Sequence, residues 1–139
     1  MHPEQTAQAV PVMEPADQAR LQTVAHALGC AANAMFIAGF DGHILWINQA
    51  FTRLFGFTAE EALGKTPRIL KSGRQTAGFY RELWDTITAG RVWRGKLANR
   101  RKGGMIFDVE QTVTPVRDAR GDISHFVVVY EDITERLRS

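Results

Sequence analysis

The chain has a single cysteine among its 139 residues, Cys30, and therefore cannot form an internal disulfide. Because stable disulfides belong to oxidising compartments, this composition favours a cytoplasmic location. No apolar run approaches the ~20 residues that span a bilayer, and residues 1–13 lack the basic start and apolar stretch of a signal peptide. The formal net charge is only +2, which is too small to indicate nucleic-acid binding.

Sequence patterns of catalysis are missing as well. No cluster of His, Cys, Asp and Glu has the spacing of a metal site, and Ser72 and Ser124 have no evident His and acid partners for hydrolysis. No glycine-rich phosphate loop of the Walker or Rossmann type is present. A haem would need an inward histidine, whereas His125 alternates outward beside Phe126. We therefore expect a binding protein that is not an enzyme.

What the sequence does contain is the composition of one soluble globular domain, with 45% hydrophobic and 23% charged residues. Residues 1–14 are polar and without periodicity, so we expect a disordered tail there. Pro15 favours a first helical turn, and a helix is predicted over 15–29. Because exposed apolar stripes usually find a partner, this flanking helix is predicted to form a homodimer. Its apolar stripe consists of Leu21, Val24 and Leu28.

Two strands are predicted next, over Ala34–Ala38 and Ile44–Ile47. Between them, Asp41-Gly42 is a strong signal for a tight hairpin turn. Asn48 follows the second strand and is the expected N-cap of a short helix, because its side chain can accept a backbone hydrogen bond there. The chain is therefore expected to pass from a strand pair directly into helices.

Helical signals fill the middle of the chain. Thr58 and Glu61 have the spacing of a capping box, in which each side chain bonds the backbone N–H of the other residue. A longer helix is predicted to begin at Thr76 or Gly78 and to end at Gly90, with an inner side of Phe79, Leu83 and Ile87.

The last third of the chain alternates in polarity with the period of two that is typical of strands. Three strands are predicted there, separated by turns at 102–104 and 118–122. Their inward residues are expected to be Trp93, Gly95, Leu97 and Asn99, then Phe107, Val109, Gln111 and Val113, and finally Phe126, Val128 and Tyr130. This order of elements predicts an α+β fold in which a five-stranded antiparallel sheet carries helices on one face.

Several separated motifs follow one another along the chain. They are Phe36-Ile37-Ala38, Asp41–Asn48 with Ala50-Phe51, Trp93-Arg94-Gly95, Thr112–Val116 and Asp132-Ile133-Thr134. In this order they resemble the PAS domain family over about residues 30–137, although many members have an acidic residue where this chain has Gly39. The resemblance implies a sensor domain over 30–132 and the start of a signalling helix over 133–139, which leads to an output domain such as a histidine kinase or a diguanylate cyclase. The chain is expected to be either a sensor piece or a stand-alone domain.

Four further stretches are Ile69–Gly73, Tyr80–Trp84, Trp93-Arg94-Gly95 and Asn99–Lys102. Within the family, they are similar to the flavin-binding redox and oxygen sensors of the NifL type. This resemblance implies a non-covalently bound FAD. FMN and the absence of any cofactor remain alternatives, because PAS domains hold flavins, haem, small acids or nothing, and a fold does not fix a function.

The LOV photoreceptors are a second comparison within the family. Pro67 occupies the position of the LOV cysteine that forms a light-driven bond to flavin, and a proline has no thiol. Arg68 matches the LOV arginine that meets the flavin phosphate. The pair of LOV asparagines corresponds to Asn99 and Val109, and the LOV glutamine corresponds to Tyr130.

Asn99 and Gln111 are the leading polar candidates for a ligand site. Alternation places both on the inward face, and burying an amide without a partner costs ~1–3 kcal/mol. A flavin pyrimidine edge offers both a donor and an acceptor, which an amide can match. The alternatives are that Asn99 turns to water at its strand end, and that a one-residue bulge turns Gln111 outward.

Aromatic and aliphatic side chains are predicted to form the walls. Trp84 and Trp93 can line a flat ring, and core packing explains both equally well. Tyr130 can form a hydrogen bond near a flavin and connect the site to the C-terminal segment that begins at Asp132. Alternatively, it packs in the sheet with its hydroxyl at the rim. The remaining predicted wall residues are Phe36, Leu97 and Val109.

Three cations, Arg68, Lys71 and Arg74, lie in the loop before the long helix. Cations in that loop can meet a flavin phosphate or pyrophosphate. The alternative is an ordinary solvated loop face, which we favour for Lys71 and Arg74.

These features together predict a sensory PAS domain that binds FAD, responds to redox state or oxygen, and relays its state to an output domain through a dimer. Reduction changes which atoms of the flavin ring donate or accept hydrogen bonds, so the polar groups of the site must change their hydrogen-bond partners. This change shifts the equilibrium between two arrangements of the sheet. A cofactor-free PAS module for dimerisation and relay, or a PAS domain for another small molecule, are the alternatives.

Overall fold

The computed structural model describes residues 15–16, 19–20, 23 and 33–134. Between 33 and 134 the order is β1 (Ala34–Gly39), β2 (Ile44–Ile47), α1 (Gln49–Phe55), α2 (Ala59–Ala62), a 3-10 turn (Pro67–Leu70), α3 (Ala77–Thr88), β3 (Trp93–Arg100), β4 (Ile106–Arg117) and β5 (Ile123–Asp132). All strand pairs are antiparallel, and the strands lie in the order β2-β1-β5-β4-β3. The predicted five-stranded antiparallel sheet is therefore confirmed.

The chain reverses between β1 and β2 at the predicted turn. The Gly42 N–H donates to the Gly39 carbonyl at 2.9 Å, and the φ angle of Gly42 is 91°, a conformation that is strained for residues with a side chain. The Asp41 carboxylate accepts from the His43 N–H at 3.0 Å. Because β5 inserts between β1 and β4, the last strand of the sheet lies at its centre.

Asn48 caps α1, as predicted, and also ties this helix to β1. Its Oδ1 accepts from the backbone N–H of Phe51 at 2.9 Å and of Met35 at 3.0 Å. Its Nδ2 donates to the Asn33 carbonyl at 2.9 Å. One side chain therefore satisfies three backbone groups and fixes where the helix leaves the sheet.

The other two helix starts are also as predicted. The capping box of Thr58 and Glu61 is present at α2, and Thr76 caps α3 by accepting from the Phe79 N–H at 3.1 Å. Glu61 also forms an ion pair with Lys102, which lies at the turn between β3 and β4. This pair joins the short helix to the tip of the last hairpin.

The predicted inward faces form the core with the helices. Every residue predicted inward on β3, β4 and β5 is buried except Gly95, which is half-buried. The helices supply Phe51, Phe55 and Ile87 to the same cluster, which shows that they cover this face of the sheet. A smaller cluster around Ile37 and Leu45 forms separately from that core.

The predicted flanking helix is described only in part. The positions Pro15, Ala16, Ala19, Arg20 and Thr23 are helical, and the Thr23 hydroxyl donates to the Ala19 carbonyl at 3.0 Å. The apolar stripe of Leu21, Val24 and Leu28 lies outside the described residues. Its role in a dimer stays a prediction.

Candidate functional site

A cavity of about 310 Å³ lies between the inward face of the sheet and α3. This volume is at the small end of the range of ~300–1,000 Å³ that is typical of ligand sites. Its walls are largely apolar, and its polar side chains come from the loop after the 3-10 turn, from α3 and from β3, β4 and β5. Among the described residues the lining consists of Phe36, Ala38, Gly42, Pro67, Lys71, Tyr80, Leu83, Trp84, Ile87, Leu97, Asn99, Gln111, Val113, Phe126, Val128 and Tyr130.

Asn99 lines this cavity from β3 and is 4% exposed, so the alternative that it turns to water is wrong. Its Nδ2 donates to the Leu70 carbonyl at 3.0 Å. Its Oδ1 is buried and, within 33–134 and the few described residues before them, has no hydrogen-bond partner. Since a buried acceptor without a partner costs ~1–3 kcal/mol, this oxygen is suited to accept from a donor on a bound molecule.

Gln111 lines the cavity from β4 and is 7% exposed. It pairs in regular register with Gly95 on β3 and Tyr130 on β5. The bulge that would turn it outward is therefore absent at this position. Within the described residues its side-chain amide makes no hydrogen bond, so it can donate to or accept from a ligand.

Side chains of the loop that follows the 3-10 turn form hydrogen bonds with the backbone of β3, the edge strand of the sheet. Gln75 bonds both backbone groups of Ala98: its Oε1 accepts from the N–H at 2.8 Å and its Nε2 donates to the carbonyl at 3.0 Å. The Ser72 hydroxyl donates to the same carbonyl at 2.7 Å. These contacts hold the loop against β3 at the residue before Asn99. Our sequence analysis missed Ser72 and Gln75, because a loop without periodicity gives no signal of what it packs against.

Lys71 is exposed but also lines the cavity, so the interpretation of a solvated loop face is incomplete for this residue. Its backbone forms an isolated bridge with Asn99. Its ammonium group lies 4.5 Å from the centre of the Tyr80 ring, a cation–π contact between two lining residues. Tyr80 in turn accepts from Gln75 Nε2 at 3.2 Å.

Tyr130 is buried in the floor of the cavity, where its ring packs against Phe36 and, edge to face, against Phe55. Burial raises the pKa of its phenol, and the nearby Tyr80 raises it further. The hydroxyl therefore stays protonated and can serve as a neutral donor. Tyr130 also borders a second, more polar cavity of about 410 Å³ that includes Arg53 and Asp132.

An aromatic group closes the opposite end of the cavity. Trp84 contacts Phe40 and Phe126, with ring centres 6.2 and 6.0 Å apart. Trp84 is 43% exposed, so core packing does not explain it. Asn99 pairs with Phe107 on β4, whereas Phe126, which contacts Trp84, pairs with Pro115 further along the same strand. The cavity thus has an amide end at Asn99 and an aromatic end at Trp84.

A sheet of this strand order, with its ligand-sized cavity under the helices, agrees with the family indicated by the motifs. The sequence profile of the PAS domain family matches residues 32–135, about three quarters of the chain. This chain is a PAS domain.

The PAS domain is similar to parts of larger regulatory proteins. A nitrogen fixation regulatory protein of Klebsiella oxytoca is 31% identical over 115 residues, which are 78% of this chain and 23% of that protein. A blue-light-activated histidine kinase of Brucella canis is 30% identical over 97 residues, or 70% and 20% of the two chains. The chain therefore spans a quarter or less of the length of these curated relatives. Their names are those of regulatory and signalling proteins.

Solved structures agree with this assignment. The structure of an RNA-binding light-oxygen-voltage receptor has a TM-score of 0.73 and 27% sequence identity, and covers 91% of this chain and 37% of that receptor. Together with the curated relatives, this match confirms the resemblance to NifL-type and LOV-type PAS domains.

The PAS domain brings six of the nine predicted site residues into one cavity and leaves three outside its described lining. Arg68 is exposed on the 3-10 turn. Trp93 and Val109 are buried in the core, where Trp93 packs edge to face on Phe79 at 5.4 Å. The six that line the cavity are Phe36, Trp84, Leu97, Asn99, Gln111 and Tyr130. Whether any of the nine contacts a cofactor stays a prediction.

Pro67 also lines the cavity, at the start of the 3-10 turn. The position matched to the photoactive LOV cysteine therefore faces the cavity, as the resemblance implies. Within 15–16, 19–20, 23 and 33–134, no group of three or more His, Cys, Asp and Glu side chains could hold a metal ion. In the same part of the chain, no helix is both long and apolar enough to cross a membrane.

Proposed function

We propose that this PAS domain binds a flavin non-covalently, most specifically FAD, and acts as a sensor of redox state or oxygen. The observation that carries the proposal is the buried Oδ1 of Asn99, which lines an apolar cavity and has no hydrogen-bond partner among the described residues. The donor side of the same amide is already used by the Leu70 carbonyl. The ligand must therefore present a donor to this end of the cavity.

The pyrimidine edge of a flavin has this chemistry. Its imide N–H lies between two carbonyl oxygens, so a donor and two acceptors stand side by side in one plane. Asn99 Oδ1 can accept from the N–H, and the unpartnered amide of Gln111 can pair with a neighbouring ring atom. The apolar walls and the aromatic end at Trp84 and Phe126 suit the rest of a flat ring system.

The size of the cavity limits which part of the cofactor it can enclose. About 310 Å³ suits a ring system and is too small for a whole dinucleotide, since ligand sites for complete drug-sized molecules extend to ~1,000 Å³. The ribityl chain and phosphates would extend out of the cavity. FMN and FAD share the ring, so the enclosed part alone does not separate them.

When bound, the flavin supplies reversible electron and proton uptake, which changes the donors and acceptors of its ring. The response of the protein begins at Gln111, whose amide can rotate because no group in the described part of the chain bonds it. Gln111 is paired on β4 with Tyr130 on β5. From there the chain runs to Asp132 and Ile133, and the Ile133 N–H donates to the Asp108 carbonyl at 3.2 Å. We infer that the C-terminal end of β5, where the chain leaves the sheet, responds to the ligand through this strand pair.

The sensor domain of the proposal extends over 30–132, with a dimer-forming helix over 15–29 and the start of a connecting helix over 133–139. In the full-length protein it would relay its state, in the cytoplasm, to an output domain such as a histidine kinase or a diguanylate cyclase. Light scattering should give twice the chain mass for the purified protein. A Leu21→Glu, Leu28→Glu double variant should give the mass of one chain.

The decisive experiment is an absorption spectrum of the purified protein, followed by addition of FAD, FMN and riboflavin to the cofactor-free protein. Flavin bands and quenched flavin fluorescence are expected, with FAD bound most tightly. Equal affinity for FAD and riboflavin would reject the assignment of FAD as the ligand, but it would retain a binding site for the flavin ring. A protein that is colourless and takes up none of the three overturns the proposal in favour of a cofactor-free relay module.

A further inference from the structure

Lys71 is the only cation among the described residues that line the cavity, and no acidic side chain is among them. Its backbone is bridged to Asn99, so its side chain starts beside the amide that carries the unpaired acceptor. Its ammonium lies 4.5 Å from the centre of the Tyr80 ring, which also faces the cavity. A positive charge is thus positioned at the amide end of the cavity, opposite the aromatic end at Trp84.

We propose that Lys71 is a redox-tuning residue, whose charge stabilises the reduced ring of the flavin relative to the oxidised ring; this inference rests on the proposed function. With two electrons from a donor outside the protein and one proton from solvent, a bound flavin would carry a negative charge spread over N1 and the C2 carbonyl at the pyrimidine end, whereas the oxidised ring is neutral. A cation beside that end interacts more strongly with the anion than with the neutral ring.

The position of Lys71 separates this role from phosphate binding. Arg68, which the resemblance matches to a phosphate contact, is exposed and lies outside the described lining. Lys71 instead shares the end of the cavity with Asn99, where the ring imide is expected. Phosphates leave the cavity with the ribityl chain and carry the same charge in both oxidation states. A phosphate contact therefore changes flavin affinity without changing the midpoint potential.

The test compares three variants loaded with FAD. Lys71→Met removes the charge and keeps the length of the side chain, and Lys71→Arg keeps the charge. Lys96→Met is the matched control, because Lys96 is exposed on β3 and does not line the cavity. The midpoint potential is measured by anaerobic titration with dithionite against a reference dye, and the dissociation constant of oxidised FAD is measured on the same samples.

Lys71→Met is expected to lower the midpoint potential and to weaken the binding of reduced FAD relative to oxidised FAD by about fivefold, since two unit charges ~4 Å apart in water-like surroundings interact by roughly this factor. Lys71→Arg and Lys96→Met should stay near wild type, and the difference should shrink in high salt because Lys71 is exposed. If Lys71→Met folds poorly, Lys71→Gln replaces it.

Two results overturn the inference while the proposed function stands. One is a Lys71→Met protein that binds FAD at an unchanged potential, and the other is an equal shift in Lys96→Met. A change in the affinity for oxidised FAD alone, at constant potential, assigns Lys71 to the phosphate and also rejects redox tuning. A wild type that binds no flavin rejects the proposed function itself.

Discussion

Replacing Asn99 by alanine tests the two uses of one buried amide. The substitution removes the donor that bonds the Leu70 carbonyl at 3.0 Å, and it removes the acceptor that faces the cavity. In the ligand-free protein, loss of the first bond leaves a carbonyl unpaired and should lower the free energy of unfolding by ~1–3 kcal/mol. A domain with the usual ~5–15 kcal/mol of stability stays folded after such a loss.

The acceptor determines the effect on the ligand. Without the buried Oδ1, the imide N–H of a bound flavin loses its partner, which costs a further ~1–3 kcal/mol and weakens binding roughly 5- to 150-fold. Ser72→Ala is the matched control, because it breaks the 2.7 Å bond to the Ala98 carbonyl at the same strand edge without touching the described lining. Stability should fall in both variants, whereas a large loss of affinity is expected for Asn99→Ala alone.

Flavin titration monitored by fluorescence gives the two dissociation constants, and urea unfolding without ligand gives the two stabilities. Circular dichroism checks that the fold is retained. Equal affinity of wild type and Asn99→Ala would refute the assignment of Oδ1 as a ligand acceptor. Equal losses of affinity in Asn99→Ala and Ser72→Ala would show that only the closure of the loop matters.

Three further predictions concern the cavity wall, the caps and the response to pH. Because Pro67 has no thiol and lines the cavity, blue light should not convert bound flavin into an adduct that recovers in the dark; an adduct band in the illuminated spectrum would show that the match to the LOV cysteine is misplaced. Asn48→Ala removes three hydrogen bonds and should lower the free energy of unfolding in urea by about 2 kcal/mol or more, against about 1 kcal/mol for Thr58→Ala at an exposed cap. Equal losses of stability in the two variants would show that the bonds from Asn48 to Asn33 and Met35 contribute nothing beyond the cap. The hydrogen bond from Lys102, followed by that from the Thr58 backbone, lowers the pKa of Glu61 below 4.5 in the folded protein. The contribution of the Glu61 carboxylate to stability is therefore complete above pH 4.5, and it is lost as the pH falls through the lowered pKa. The stability of Glu61→Gln should accordingly fall less than that of wild type between neutral pH and pH values below 4.5, and parallel curves would exclude a role for this carboxylate.

The fold was predictable because most of its signals are local. The hairpin at Asp41-Gly42 and the caps at Asn48, Thr58 and Thr76 each depend on residues within a few positions of one another, and all are present. Alternation also placed Asn99 and Gln111 inward correctly, since a strand with one buried face fixes the direction of every second side chain.

The closure of the site was not predictable in the same way. Gln75 lies 23 positions before Ala98, and its two hydrogen bonds depend on where a loop meets the edge of a sheet. The exposure of Trp84 was unpredictable for a similar reason. Its position in α3 predicts the direction of its side chain around the helix axis, but its place at the rim of the cavity depends on its packing against Phe40 and Phe126. Long-range contacts of this kind leave no periodic pattern.

Asn99 illustrates why burial alone is a weak guide to function and an unpaired atom is a stronger one. Gln75, nearby in space, has a fully used amide: its oxygen and nitrogen bond the backbone of Ala98, so it has a structural role that explains its presence. The nitrogen of Asn99 is used in the same way by Leu70, yet its oxygen is buried and has no partner among the described residues. The bond to Leu70 accounts for the nitrogen alone, and a ligand that donates to the oxygen, as the proposed function requires, would account for the other half of the amide.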